Sequence, residues 1–203
     1  MPAPVTSKGE RSAAELKAAA LRVIARQGYL STKIGDITAE AGKSAGVFYR
    51  YFTDKDDLLR SVVDDFAAAL RERVTEQAGG PHALDGVEDI RGHVRAYWDT
   101  YRAHRAEMTA LYEASLVSAE FATHWEDMRA RHVDIWTAHV TEARALATPD
   151  RDTRLTALAA VAMIERFCQL ATPAESEAAS EEEGDAAVEA LTRLLAHGLL
   201  RHG

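Results

Sequence analysis

The sequence predicts an all-α protein of about nine helices, with an N-terminal three-helix DNA-binding head and a larger helical body behind it. Three observations predict this. No stretch of the 203 residues alternates apolar and polar side chains over a strand's length. Apolar residues recur instead at three- and four-residue steps, in runs separated by glycine, proline or acidic breaks. Lastly, residues 28–59, GYLSTKIGDITAEAGKSAGVFYRYFTDKDDLL, read as two short helices joined by a tight turn and followed by a longer one. A helix-turn-helix has that form and lays its second helix in the DNA major groove.

Residues 1–9 form a tail of Pro, Ser, Thr and Gly. The first helix is expected from Glu10 to Gln27, with Ser12 as cap and Glu15 three residues on. Leu16, Ala20, Val23, Ile24 and Gln27 share its face, and Gly28 ends it. The two helices of the motif are Ile34–Ala41 and Ala45–Tyr51, with Gly42-Lys43-Ser44 between them. Thr32 and Ser44 are the expected caps, and Gly42 permits a positive φ at the turn. Thr53-Asp54-Lys55-Asp56 opens a long helix from Asp54 to about Ala78, striped by Leu58, Leu59, Val62, Val63, Phe66 and Leu70. Gly79-Gly80-Pro81 terminates it. Further helices are expected over Leu84 to Ala103, Met108–Val117, Ala119 to Ala147, Arg151–Ala171 and Ala186 to Leu200, with breaks at Pro149 and Pro173. Residues 174–185, AESEAASEEEGD, read as a solvated acidic loop. This gives a DNA-binding domain over 1–53 and a second domain over 54–203.

Charge is divided unevenly. The chain carries a net −8, yet residues 1–52 hold eight cations against four anions, a net +4 that leaves −12 for the remainder. One end is suited to phosphate and the other is not. Lys33, Lys43, Arg50 and Lys55 flank the turn and can neutralise phosphates. Tyr49 and Tyr51 carry hydroxyls that can reach the phosphate chain, and Gly46 allows close approach. One cysteine, Cys168, excludes an internal disulfide and reads as a small buried hydrophobe. With no apolar run long enough to cross a membrane and no apolar signal core, a cytoplasmic protein is expected.

Catalytic chemistry is not in the pattern. His124, His132 and His139 fall eight and seven residues apart, too far for a compact metal site on one helix. No nucleophile elbow, phosphate-cradling loop or Cys/His set is present. The sequence therefore reads as a non-enzyme without cofactor or metal. Glu165-Arg166, inside an apolar helix, reads as a paired charge at an interface or a polar anchor for a ligand.

The stretch 28–59 resembles the tetracycline-repressor (TetR) family of bacterial transcription regulators. The resemblance rests on Gly28-Tyr29, Thr32, Ile34, Asp36-Ile37, Ala41-Gly42, Ser44, Gly46, Tyr49, Tyr51-Phe52, Lys55 and Leu58-Leu59, in order and without gaps. Lys43 and Val47 stand where the family often has Val and Thr, so an operator sequence does not carry over. The implied DNA face comprises Thr32, Lys33, Lys43, Ser44, Ala45, Gly46, Tyr49, Arg50, Tyr51 and Lys55. Family members also bind small effectors inside the helical body, where the aromatics cluster. Trp98, Tyr101, Trp125 and His132 are the expected contacts of a largely apolar effector. The helix over 151–171 is apolar on more than one face, which asks for two partners. The resemblance supplies the second: a homodimer through helices within 151–171 and 186–200, placing two recognition helices about 34–36 Å apart on a palindromic operator. The expectation is a ligand-responsive repressor. The alternative is an all-α interaction module that keeps the head but binds protein.

Overall fold

The computed structural model describes residues 8–78, 86–144, 151–172 and 181–199. Among them are nine helices and no strand: α1 Lys8–Gln27, α2 Ile34–Glu40, α3 Ala45–Tyr51, α4 Lys55–Ala78, α5 Val87–Ala103, α6 Arg105–Ser115, α7 Ala119–Ala143, α8 Arg151–Ala171 and α9 Glu181–Leu199. Residues 1–7 of the expected tail, the breaks at Gly79-Gly80-Pro81, Pro149 and Pro173, and residues 174–180 lie outside the described residues, while Lys8 and Gly9, expected in the tail, already belong to α1.

The packing divides the chain into two compact units, residues 1–65 with 106–125, and residues 66–105 with 126–203. This differs from a boundary at 53/54. The first turns of α4 bury Leu58, Leu59, Val62 and Val63, and side chains on α6 and early α7 join them. Arg60 reaches Glu120 at 2.6 Å, and Ser118 Oγ donates to Asp56 at 3.4 Å. Residues 55–65 of α4 thus belong to the first unit and residues 66–78 to the second.

In the first unit, α1 presents Leu16, Ala19, Ala20, Val23 and Ile24 to a core completed by Ile37, Phe48 and Phe52. Burying a side chain of the size of Leu, Ile or Phe contributes about 1.5–3 kcal/mol, enough for a handful to hold a three-helix head. Ser12 lies inside α1, because the helix already runs from Lys8. Gln27 is exposed rather than part of the buried stripe, and its amide donates to Ser31 O and Asp36 Oδ2. Leu111 and Phe121 are buried, whereas Leu116 stands 67% exposed in the turn after α6.

In the second unit, α5 packs on α9 and α8. Helix α5 buries Ile90, Val94, Tyr97, Trp98 and Tyr101; α9 answers with Val188, Leu191, Leu195 and Leu199. Helix α9 begins at Glu181, five residues before the expected start, so the stretch 181–185 is helical and not a loop. Three glutamates occupy its first turn, where the helix dipole favours anions. Asp185 and Glu189 face Arg95 and Arg91 of α5. Gly184 lies so close to α5 that a Cβ there would sit 3.2 Å from Trp98 Nε1.

Candidate functional site

The helix-turn-helix is set by a short series of backbone contacts. Gly28, at φ +78, ends α1 while its N–H donates to Ile24 O at 2.8 Å. Asp36 accepts from Lys33 N at 3.0 Å and satisfies an otherwise orphan donor at the start of α2. Gly42, at φ +62, turns the chain, and Lys43 N closes it on Thr38 O at 2.8 Å. Ser44 is the extended N-cap of α3, and its Oγ accepts from Val47 N. Phe48 is fully buried and anchors α3 to the head. The opposite face of α3 is exposed: Ala45, Gly46, Tyr49 and Arg50 follow the four-residue step, with Tyr49 59% accessible.

The residues expected on the DNA face separate into two groups. Lys33, Ser44, Ala45, Gly46, Tyr49 and Arg50 are exposed, and Tyr51 is half-buried. The other three are engaged in the protein. Thr32 is buried and donates its hydroxyl to Gly28 O at 2.8 Å, so it ties the loop and does not cap α2. Lys43 pairs with Glu15 of α1 at 2.6 Å. Lys55 is turned toward the α1–α2 loop: its ammonium donates to Tyr29 O at 3.0 Å and Thr32 O at 3.3 Å and lies 4.1 Å from the centre of the Tyr29 ring. Burial draws it below the usual lysine range. The capping role of Asp36 was readable as an acid three residues after Lys33. The inward turn of Lys55 was not, because its acceptors are backbone carbonyls far back in sequence.

Of the expected effector contacts, Trp98, Tyr101 and His132 belong to the second unit and Trp125 to the first. Tyr97 lies between Tyr101 and His132, with ring centroids 6.4 and 5.8 Å away and nearly parallel planes. Trp98 meets Phe167 at 6.2 Å. Burial in this layer holds the His132 imidazole neutral, with its pKa pushed down to about 4, and pushes the Cys168 thiol up to about 12. Glu165 accepts from Arg129 Nε at 2.8 Å, and its carboxyl is still raised by burial. Arg166 faces away from Glu165 and donates to Gln169. Adjacent residues on a helix point about 100° apart, so within one chain Glu165 and Arg166 take different partners.

A cavity of about 710 Å³ opens between α7 and α8, lined by residues that include Arg129, Val133, Arg151, Arg154, Leu155 and Leu158. None of the four expected effector contacts lines it. His124 lies 3.8 Å from Asp64, whereas His139 meets His93 edge to face and the same His93 acts on His132, so His124 stands apart from the other two. Among the described residues no group of three or more ligating side chains could hold a metal ion, and no helix is long and apolar enough to cross a membrane.

Residues 16–62 match the family model of bacterial regulatory proteins, tetR family. Residues 90–197 match that of the C-terminal domain of the transcriptional regulator EthR. The HTH-type transcriptional regulator EthR of Mycolicibacterium smegmatis is 26% identical over 154 residues, 71% of this chain and 70% of that protein. The nicotine-responsive transcriptional repressor HdnoR of Paenarthrobacter nicotinovorans is 33% identical over 85 residues, which span 42% of this chain and only 41% of that one. A solved structure from Syntrophomonas wolfei, described as a TetR-family transcriptional regulator, has a TM-score of 0.76 at 19% identity, across 97% of this chain and 100% of that one. At that identity the structural likeness speaks to the fold.

Proposed function

Because the chain belongs to the TetR family of bacterial regulatory proteins, we propose that it is a ligand-responsive repressor that binds a palindromic operator as a homodimer in the cytoplasm. The family consists of DNA-binding transcription regulators, not enzymes, with a helix-turn-helix head and a ligand-binding C-terminal domain. The observation that carries the reading is the exposed face of α3, where a small-residue edge at Ala45 and Gly46 lies beside Tyr49 and Arg50. Small residues let the helix approach base edges, while Arg50 and Lys33 supply phosphate contacts and Tyr49 a hydroxyl.

Dimerisation has its own support. Leu155, Leu158, Met163 and Leu170 are 40–67% exposed along α8, and Leu194 is 62% exposed on α9. Isolated exposed leucines need no explanation, but a stripe at helical spacing does. A two-fold copy of the same stripe buries it without introducing a new chemistry. Control by a ligand follows the family's C-terminal domain, and the name of HdnoR supports repression as the sign. An effector acts only through its differential affinity for the DNA-competent arrangement and the alternative.

The test is selection of bound fragments from genomic DNA, followed by gel shifts on the enriched sequence. The expected outcome is one sequence-selective, two-fold-symmetric site, bound more weakly by Tyr49→Phe and Arg50→Gln. Equal retention of unrelated fragments, or variants that bind as well as the parent, would remove α3 from the DNA and favour the protein-interaction alternative.

A further inference from the structure

The ion pairs of the head are of two kinds. Lys17, Arg22 and Arg26 stand on α1 and tie it to other helices. Lys17 meets Asp65 of α4 at 2.6 Å, and Arg22 Nε and Arg26 Nη2 meet the Glu40 carboxylate of α2 at 2.8 and 3.4 Å. The Arg22 hydrogen bond, with Arg26 beside it, holds the Glu40 carboxyl below its ordinary range. Two guanidinium groups on one carboxylate clamp the end of α2 on α1.

Lys43 is of the other kind. It lies in the turn between α2 and α3, one residue before the Ser44 cap, and its ammonium meets Glu15 Oε2 of α1 at 2.6 Å. The backbone of the turn is fixed, by Gly42 at φ +62 and by Lys43 N on Thr38 O at 2.8 Å. The side chains are not: Lys43 is 27% and Glu15 45% exposed, and a single ammonium meets a single carboxylate. Lysine carries its charge on a flexible stem with three rotatable donors, and a pair this open to solvent is weak. The ammonium can therefore turn from Glu15 to another anion while the turn itself stays as it is.

We propose that Glu15 is a positioning residue for DNA recognition: it holds Lys43 in an internal pair, and docking exchanges that pair for one between Lys43 and a backbone phosphate. The carboxylate competes with the phosphate for one ammonium. The affinity of Lys43 for phosphate is cut to the fraction of the time in which the ammonium is unpaired. Glu15 thereby sets how tightly the head holds duplex DNA from a place on α1, outside the face that α3 presents. This rests on the reading of α3 as the DNA face, because the turn comes to the phosphate chain only where α3 enters the groove.

Fluorescence anisotropy of the full-length protein on a labelled random-sequence duplex, over a series of salt concentrations, tests the exchange. Glu15 is exposed within α1, and Gln matches Glu in helix propensity, so Glu15→Gln keeps the fold. Near physiological ionic strength, where exposed charges more than about 8 Å apart are screened, it should bind about threefold or more tightly than the parent. Lys43→Met should bind more weakly and flatten the salt slope by about one. In the Lys43→Met background the gain from Glu15→Gln should vanish, because the competitor then has no lysine to hold. Equal affinity in Glu15→Gln and the parent overturns the proposal, as does an unchanged slope in Lys43→Met. So does the same gain with and without Lys43, which a general loss of negative charge would give. Arg50→Gln on the same duplex separates the two readings. Weakened Arg50→Gln beside unchanged Glu15→Gln overturns the exchange alone. Arg50→Gln that binds as tightly as the parent removes α3 from the DNA, while the gain in Glu15→Gln and its loss without Lys43 still decide the exchange.

Discussion

Lys55 and Arg50 carry the same charge and stand five residues apart, yet the structure gives them opposite surroundings. Arg50 points to solvent from α3, whereas Lys55 fastens the α1–α2 loop through two carbonyls and the Tyr29 ring. Arg50→Gln is therefore expected to leave the urea midpoint unchanged and to reduce the salt slope of DNA binding by about one. Lys55→Met should do the reverse, lowering stability by about 1–3 kcal/mol through two unmet carbonyls while the slope holds. A flattened slope in Lys55→Met would show that its ammonium reaches phosphate after all. His132 offers a second test at this scale. Its ordinary pKa of 6.5 is pushed down to about 4, first by burial and then by His93. Above 6.5 neither the folded nor the unfolded chain protonates it. As pH falls from 6.5 toward 4 the unfolded chain takes up a proton that the folded one refuses, and stability is lost. At pH 5 the loss is about 2 kcal/mol. His132→Phe keeps a ring against Tyr97 and removes the titration, so its stability relative to the parent should rise by about that amount between pH 7.5 and pH 5. Parallel stability curves would mean that His132 is protonated in the folded protein.

At the scale of the element, the sequence was most legible where periodicity and punctuation agreed. Helix α8 lies at its expected bounds, Arg151–Ala171, and Gly28, Gly42 and Ser44 fall at the turns their chemistry demands. It was least legible at α9, where the acidic run 181–185 has the composition of a solvated loop but is drawn into the helix by its packing. Gly184 fits against Trp98 and Arg102 of α5, and Asp185 meets Arg95. None of those partners is near in sequence, so no local pattern could announce them. The same reason hid the inward turn of Thr32, Lys43 and Lys55. Of the expected effector contacts, Trp98, Tyr101 and Trp125 are buried; large aromatics signal burial, but not whether they surround a void or fill one. Gly184→Leu tests the α5–α9 seam. An ordinary helical glycine gains stability on replacement, by up to about 1 kcal/mol. Here the added side chain must displace an indole and a guanidinium, and a net loss of about 1–3 kcal/mol is expected in thermal or urea unfolding. A stabilised Gly184→Leu would mean that α9 is free to shift away from α5.

For the whole molecule, the uneven charge and the exposed stripe make linked demands. A basic N-terminal quarter at +4 beside an acidic remainder at −12 attracts phosphate only at one end. One head with a short α3 offers few base contacts, so useful affinity requires two heads held on one particle. The stripe on α8 with Leu194 on α9 is the surface that can hold them. Met163→Glu/Leu194→Glu places like charges on both sides of a two-fold contact while touching no buried side chain, since both positions are well exposed in the single chain. The double variant should sediment as a monomer with helicity and urea midpoint of the monomeric fold intact. Its operator affinity should fall by about 10²–10⁴ as the second head is lost, while its weak binding to random DNA at low salt persists. A variant that stays dimeric would move the interface off α8 and α9. A monomer that binds the operator as tightly as the parent would show that the heads act singly, and the two-fold operator would then have no physical basis in this chain.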